Sequence, residues 1–547
     1  MGEQIVTFSS ELDPAADAAT KEILGQLLTD KVASRLAAQD ATLWGPDAES
    51  EASIRLSWVS LPESSRPLLA EIESLRAQLL ADGVDHVVLA GMGGSSLAPE
   101  VITTSAGVSL TVLDSTDPGM VRAALADRLE RTVLVVSSKS GNTVETDSQR
   151  RAYLGAFAAD GIDGASRIVV VTDPGSPLSA LATSEGYRKL FLADPHVGGR
   201  YSALTAFGLV PSGLAGADIA GLLDDAAAMM PALAADSDGN PALTLAAVLG
   251  AAHAAGREKV VLGAGAITGV TGFPAWSEQL IAESTGKLGK GLLPVDVEVA
   301  TEATPGWHSP ASTITRATIG TIDTPEVRLS TDAPLGALMQ LWETAVAIAG
   351  RVIGINPFDQ PNVEEAKKAA RALLDAPADD SASSETPVLT DGAVQVFGDA
   401  EALAGVTDLA GAMAAIAAAV PTDGYLAVMA YLDRTGADSG AAGLRDALAA
   451  GAPFQVTFGW GPRFLHSTGQ YHKGGHPNGA FLQITGDHAV DLEVPHRPYT
   501  FGTLIDAQAA GDRKVLADKG YPVFHLHLTD RAAGIAALIA AAGTDPS

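Results

Sequence analysis

Two short turns carry the residues best suited to holding a phosphate. Gly91-Met-Gly-Gly-Ser-Ser96 follows the apolar run Val87–Ala90, and Ser137-Ser-Lys-Ser-Gly-Asn-Thr143 follows Val133–Val136. A β-branched run that stops at clustered glycines predicts a buried strand breaking into a tight turn. Such a turn leaves backbone N–H groups free at the positive end of the next helix, with hydroxyls beside them, and that is how a chain builds an anion site. One such turn is as readily a plain strand-to-helix connection. Two at the ends of neighbouring strands can grip a single phosphate at the sheet edge.

Further along, Gly198 and Gly199 precede Arg200 in Val197-Gly-Gly-Arg-Tyr-Ser202, so backbone can approach a ligand with a guanidinium aimed at it. A solvated arginine in a surface turn is the commoner case. Gln279 and Glu283, four apart in Trp276-Ser-Glu-Gln-Leu-Ile-Ala-Glu-Ser-Thr-Gly-Lys287, share one helix face. A glutamate there is a general base if a cleft holds it and a surface carboxylate otherwise. Asn356-Pro-Phe-Asp-Gln-Pro-Asn362 predicts a rigid turn, with Lys367 on the second turn of the helix that follows. Gly459 to Gly475 is a Gly-rich loop with two histidines and a lysine, a length and composition that favour function. His472 and His476 lack the carboxylates or cysteines a metal site needs. His525 and His527 alternate on one strand face and read as a polar face. The glycines of Leu262-Gly-Ala-Gly265 lack the acidic residue expected of a dinucleotide loop.

The elements that must position these residues alternate. Residues 1–80 predict helices, at Ala15 to Gln39 and Leu68 to Leu80, with Asp47 to Glu51 read as a surface loop. Val87–Ala90, Leu110–Leu113, Val133–Val136 and Ile168–Val171 are spaced for βαβ units and a parallel sheet covered by helices on both faces. Helices follow from about Pro211 to Ala255, then a strand from Lys259, a short run Val327–Leu329 and a long helix Leu335 to Ile353. Residues 376–387, rich in Asp, Ser and Pro, read as a linker. Beyond it, strands at Tyr425–Tyr431, Phe454–Phe458, Phe481–Ile484 and Val523–Leu528 alternate with helices.

The chain has 547 residues, enough for two or more domains with substantial cores. Its 35 Lys and Arg against 65 Asp and Glu leave a net charge of −30. That argues against a nucleic-acid partner and requires any phosphate site to be locally basic, with Lys139, Arg200 and Lys367 as the supply. There is no cysteine, which removes disulfides and thiolate metal sites. The N-terminus lacks the basic and apolar regions of an export signal, and no apolar run reaches membrane-spanning length, so a cytoplasmic protein without a membrane partner is expected.

GMGGSS and SSKSGNT together resemble the sugar isomerase (SIS) domain, a doubly wound module that holds phosphosugars. With VGGRYS, the Gln279…AESTGK stretch, NPFDQPNVEEAKK and LHSTGQYH, the set resembles the phosphoglucose isomerase (glucose-6-phosphate isomerase) family over most of the chain. The resemblance is closest to its actinobacterial form and to the isomerase half of transaldolase–isomerase fusions. It implies an α/β fold of two doubly wound, parallel-sheet SIS domains, at 81–235 and 236–375, with additional N-terminal helices and an extra C-terminal α/β segment at 388–547. It also implies a homodimer with the active site at the subunit interface, a phosphosugar substrate and no cofactor. By motif, Gly94, Ser95, Ser138, Lys139, Ser140 and Thr143 would cradle the phosphate. Gly199 and Arg200 would line the reacting carbons, and Gln279 and Gln360 would help bind. Glu283 would be the base, and Lys367 and His466 the ring-opening pair.

The order of motifs departs from the family's, in which the histidine motif precedes the FDQ–lysine motif. Here LHSTGQYH lies about a hundred residues after it. Either that segment has been relocated within the fold or the ring-opening histidine is elsewhere. His308 sits in the usual interval among poorly matching residues, so His466 is the expected one. A phosphomannose or dual-specificity isomerase would share the phosphate grip and base. A non-catalytic sugar-phosphate sensor would need an effector segment, and none is visible.

Overall fold

The computed structural model describes residues 6–7, 14–264, 269–299, 303–307, 314–319, 330–375 and 386–543. His308, the run 327–329 and most of the linker (376–385) lie outside them. A short strand, β1 (Val6–Thr7), precedes helices Pro14–Thr29 and Val32–Ala37, which break where Lys31 takes a left-handed φ of 52°. The single helix expected over Ala15 to Gln39 is therefore two. The acidic stretch expected as a loop is the helix Pro46–Ala52: Pro46 presets φ at its first position, and Asp47 and Glu49 face its positive end.

The first sheet comprises β2 (His86–Gly91), β3 (Thr111–Leu113), β4 (Thr132–Ser137), β5 (Ile168–Thr172) and β6 (Lys189–Leu192), all parallel, in the order β3-β2-β4-β5-β6. Every residue of β2, β4 and β5 is buried, as strands covered on both faces require. The chain leaves β2 toward one edge and returns to build the other. The carboxyl ends of β2 and β4 thus flank the crevice where doubly wound sheets bind ligands, and both hydroxyl-rich turns leave from those ends.

The second sheet, β7 (Lys259–Ala264), β8 (Leu293–Val299), β9 (Ile314–Ile319) and β10 (Ser330–Thr331), runs β1-β10-β9-β7-β8 and is parallel except for β1. Its helix Leu335–Ile353 matches the sequence expectation. It is buried on nearly all sides, against helices Ile219–Leu233 and Pro241–Ala254, and ends at Gly354 with φ 75°. The third sheet, β11 (Leu389–Asp391), β12 (Val394–Phe397), β13 (Tyr425–Ala430), β14 (Gln455–Trp460), β15 (Gly479–Gly486) and β16 (Val523–Leu528), runs β11-β12-β16-β15-β13-β14, with β13 to β16 parallel. Its topology also switches at β13, which pairs with β14 on one side and β15 on the other. The LHSTGQYH segment leaves the carboxyl end of β14. Among the described residues, no helix is long and apolar enough to cross a membrane.

Candidate active site

The loops at the carboxyl ends of the first and third sheets meet. Gly93 adopts φ 55°, and a Cβ there would lie 2.7 Å from the His466 carbonyl. A Cβ at Gly94 would lie 2.0 Å from the Gly199 carbonyl, so backbone packs on backbone where two of the motifs touch. Ser95 and Ser96 are buried in the same turn, and Ser96 Oγ donates to the Gly93 carbonyl at 3.2 Å. In the second turn Ser138 Oγ lies 2.8 Å from Thr143 Oγ1 and accepts from the Gly141 N–H at 3.1 Å. Ser140 Oγ accepts from the Asn142 N–H at 3.2 Å. Lys139 Nζ is engaged within the chain, 2.5 Å from Asp173 Oδ2 and 3.4 Å from the Pro195 carbonyl. Its charge is thus partly answered beside the turn.

Arg200 is 2 % exposed, at the centre of the turn Gly199–Tyr201. Its Nη1 donates to the carbonyls of Glu283 (2.5 Å) and Pro357 (3.0 Å), and both Nη atoms donate to Asp359 O (3.2 Å). Nη2 also donates to Gln360 Oε1, and Nε lies 3.3 Å from Glu283 Oε2. Glu283 belongs to helix Phe273–Thr285 and is itself buried. Burial pushes its carboxyl above the ordinary range, against the opposing pull of Arg200, Gln279, Lys367 and His466. A carboxylate raised by burial and poised against a fixed cation is the arrangement a general base needs. Gln279, one turn earlier, donates through Nε2 to the His466 carbonyl at 2.8 Å.

His466 closes a single 3₁₀ turn, Arg463–His466, and its Nε2 lies 3.0 Å from Glu145 Oε1. Gln508 donates to the same Glu145 oxygen at 2.7 Å, and Thr116 donates to Gln508 Oε1 at 2.6 Å. Burial pushes the Glu145 carboxyl up, but His466, that hydrogen bond and Lys367 outweigh it and hold Glu145 ionised. Lys367, half-buried on helix Val363–Asp375, lies within electrostatic reach of both Glu145 and Glu283. Its helix packs on Phe501–Asp518, where Gly511 lets the backbones close up at Ala366 and Ala370.

The structure thus brings Arg200, Gln279, Glu283, Gln360, Lys367 and His466 together over the two hydroxyl-rich turns. Residues of 376–385 and His308 lie outside the described residues. A cavity of about 850 Å³ lined by Ile102, Leu222, Met229 and Leu335 among others includes none of these groups. Converging titratable groups, not volume, mark the site. No cluster of three or more metal-ligating side chains occurs among the described residues. His476 pairs with Glu258 at 2.8 Å, and His472 is enclosed by Tyr425, Phe464 and Phe481.

Residues 74–300 match the family model described as phosphoglucose isomerase. The chain is 31% identical over 340 residues to a Natronomonas pharaonis protein named "Probable glucose-6-phosphate isomerase", covering 53% of this chain and 79% of that one. It belongs to the phosphoglucose isomerase family. The glucose-6-phosphate isomerase of Thermosynechococcus vestitus is 32% identical over 353 residues, and the chain spans 66% of its length. Among solved structures, a hypothetical protein from Thermus thermophilus aligns with a TM-score of 0.58 at 25% identity, over 68% of this chain and all of that one. A glucose-6-phosphate isomerase from Chlamydia trachomatis aligns at 0.55 and 20% identity, over 68% and 89%.

Sequence reasoning about this family member missed three groups. Glu145 stands two residues after Thr143, at the N-terminal end of its helix, where an acid also reads as a dipole partner. Gln508 carried no local signal. Lys287, inside AESTGK, donates to the carbonyls of Asn356 (2.8 Å) and Asp359 (2.5 Å) and to Asp359 Oδ1 (2.7 Å), pinning the turn that presents Gln360. Burial and the neighbouring Arg200 depress its ammonium to about 7, against the pull of Asp359.

Proposed function

We propose that the chain interconverts glucose 6-phosphate and fructose 6-phosphate by moving one proton between C1 and C2. The observation that carries this reading is the buried Glu283 carboxyl held 3.3 Å from the Arg200 guanidinium, beside His466 and Lys367. Glu283 takes the proton from C2, electrons shift to give a cis-enediolate, the hydroxyl proton passes from O2 to O1, and the same carboxyl returns its proton to C1, so one carboxyl serves both carbons. Arg200 stays protonated and answers the oxyanion that develops at the reacting carbons. The substrate arrives as a closed ring. His466, oriented by Glu145, gives a proton to the ring oxygen, with Lys367 assisting. The turns 91–96 and 138–143 hold the remote phosphate and set C2 against Glu283. No redox cofactor enters this scheme. Family membership supports a homodimer and a cytoplasmic setting for the reaction.

A coupled assay supplying fructose 6-phosphate and reading glucose 6-phosphate, with mannose 6-phosphate alongside, tests the proposal. Rapid conversion to glucose 6-phosphate alone is expected. Turnover to mannose 6-phosphate would make it a dual isomerase, and tight phosphosugar binding without turnover would make it a sensor. Glu283→Gln should cut kcat by about 10²-fold or more while leaving binding of a phosphorylated sugar acid intact. Near-normal turnover in that variant would remove Glu283 from the role of base.

A further inference from the structure

The histidine arrives on a segment remote in sequence from the rest of the site, so something must set its position against the first sheet. Four charged side chains sit at that junction. Arg463 Nη1 lies 2.5 Å from Asp114 Oδ2 and 2.6 Å from Glu100 Oε2. Arg434 donates through Nε to Asp114 Oδ1 at 2.8 Å and through Nη1 to Glu100 Oε1 at 2.9 Å. Each carboxylate thus receives both guanidiniums. Asp114 is wholly buried and both arginine side chains are 13% exposed. Asp114 follows β3, and Glu100 lies in helix Leu97–Ser105, which begins directly after the Gly91–Ser96 turn. Arg434 follows β13 and Arg463 follows β14, so both cations leave the switch edge of the third sheet.

The two arginines differ in one respect. Arg463 opens the single turn that His466 closes, three residues on, and side chains three apart on a 3₁₀ turn lie above one another. Arg434 carries no site residue near it in sequence. Building on the isomerase reading, we propose that Arg463 is a positioning residue: its clasp on Asp114 and Glu100 fixes the turn that holds His466 against Glu145 and the phosphate turn. The burial of the clasp makes it stiff, because a guanidinium bound by two carboxylates in a low-dielectric site has no equivalent second arrangement. Beside His466 stand Glu145, Lys367 and Glu283, so a small displacement of the turn changes its distance to all three.

The test compares Arg463→Met and Arg463→Lys with Arg434→Met in the full chain. Arg463→Met is expected to lower kcat by about 10- to 100-fold while KM and the Kd of a phosphorylated sugar acid stay within about twofold, because the phosphate turns belong to the first sheet. Arg463→Lys should restore part of kcat. Arg434→Met should lower the melting temperature comparably but cost less than about threefold in kcat. The ring ¹⁵N resonances of His466, assigned with His466→Asn, should move in Arg463→Met and stay in place in Arg434→Met. Equal kcat losses in the two Met variants, or unmoved His466 resonances, would reduce the clasp to cement between the sheets and overturn the proposal. The His466 resonances report on the clasp even if the wild-type chain proves not to isomerise phosphosugars, so the two readings fail separately. Should Arg463→Met not fold, Arg463→Gln and Arg434→Gln are compared in the same way.

Discussion

Glu283 and His466 do their work in pairs, each with a partner that sets its state. Arg200 faces Glu283 while burial lifts its carboxyl above the ordinary value of 4.5, and a base works only once ionised. The acid limb of the kcat/KM profile is therefore expected above the usual carboxylate range. A limb at or below 4.5 would show that another group limits the rate. Glu145 holds Nε2 of His466 at 3.0 Å and so fixes the orientation of the ring. His466→Asn should lower kcat by about 10²-fold or more, whereas His308→Asn should leave kcat within about twofold. The reverse outcome, read in the same coupled assay, would return the ring-opening role to His308.

At the scale of elements, two strand ends and two glycine turns decide whether the site closes. Gly94 packs on Gly199 with no room for a side chain on Gly94, the intruding Cβ falling 2.0 Å from a carbonyl that belongs to the backbone and cannot rotate away. Gly94→Ala must push the phosphate turn off the arginine turn. A loss of about 1–3 kcal/mol in stability is expected by thermal or urea unfolding, with a larger relative fall in kcat/KM. A variant of normal activity would mean that the loops adjust independently. Helix Val363–Asp375 is placed in a similar way, since Gly511 on helix Phe501–Asp518 admits its backbone and so sets where Lys367 stands.

At the scale of the molecule, charge acts in opposite senses at the surface and between the sheets. A net charge of −30 makes the surface repel itself, while the half-buried acids Glu100 and Asp147 are tied to arginines from distant segments, Glu100 to Arg434 and Arg463 and Asp147 to Arg497. Burial raises both, but Arg463 and Arg434 bring Glu100 down to about 2, and Arg151, Arg150 and Arg497 bring Asp147 down to about 2. Their folded-state values lie below their unfolded ones. Their stabilisation is therefore fully present above about pH 4.5 and is lost as pH falls toward 2. Melting temperatures measured from pH 5 to 2.5 should drop steeply in that window, and Arg434→Met should flatten the drop. An unchanged slope would assign acid sensitivity to other carboxylates.

Much of this was legible in the residues. Buried apolar runs located four of the five strands of the first sheet and both hydroxyl-rich turns, because period and turn chemistry are local properties; the edge strand Lys189–Leu192, only partly buried, carried no such run. Val523–Leu528 and Leu335–Ile353 fell where their patterns placed them. The breaks were local as well: Lys31 interrupts a helix by adopting a left-handed conformation that composition does not announce. Which charges answer which was decided only in three dimensions. Lys139 reads as a phosphate ligand and is drawn to Asp173, 34 residues on. Glu145 reads as a helix-start acid and meets a histidine 321 residues away. His466 comes into the site through a loop from another sheet, a placement set by how two switch edges pack and by the arginines between them. Sequence spacing carries information over one turn or one strand. A contact between distant segments depends on the free energy of docking their parent elements, and no local pattern encodes that.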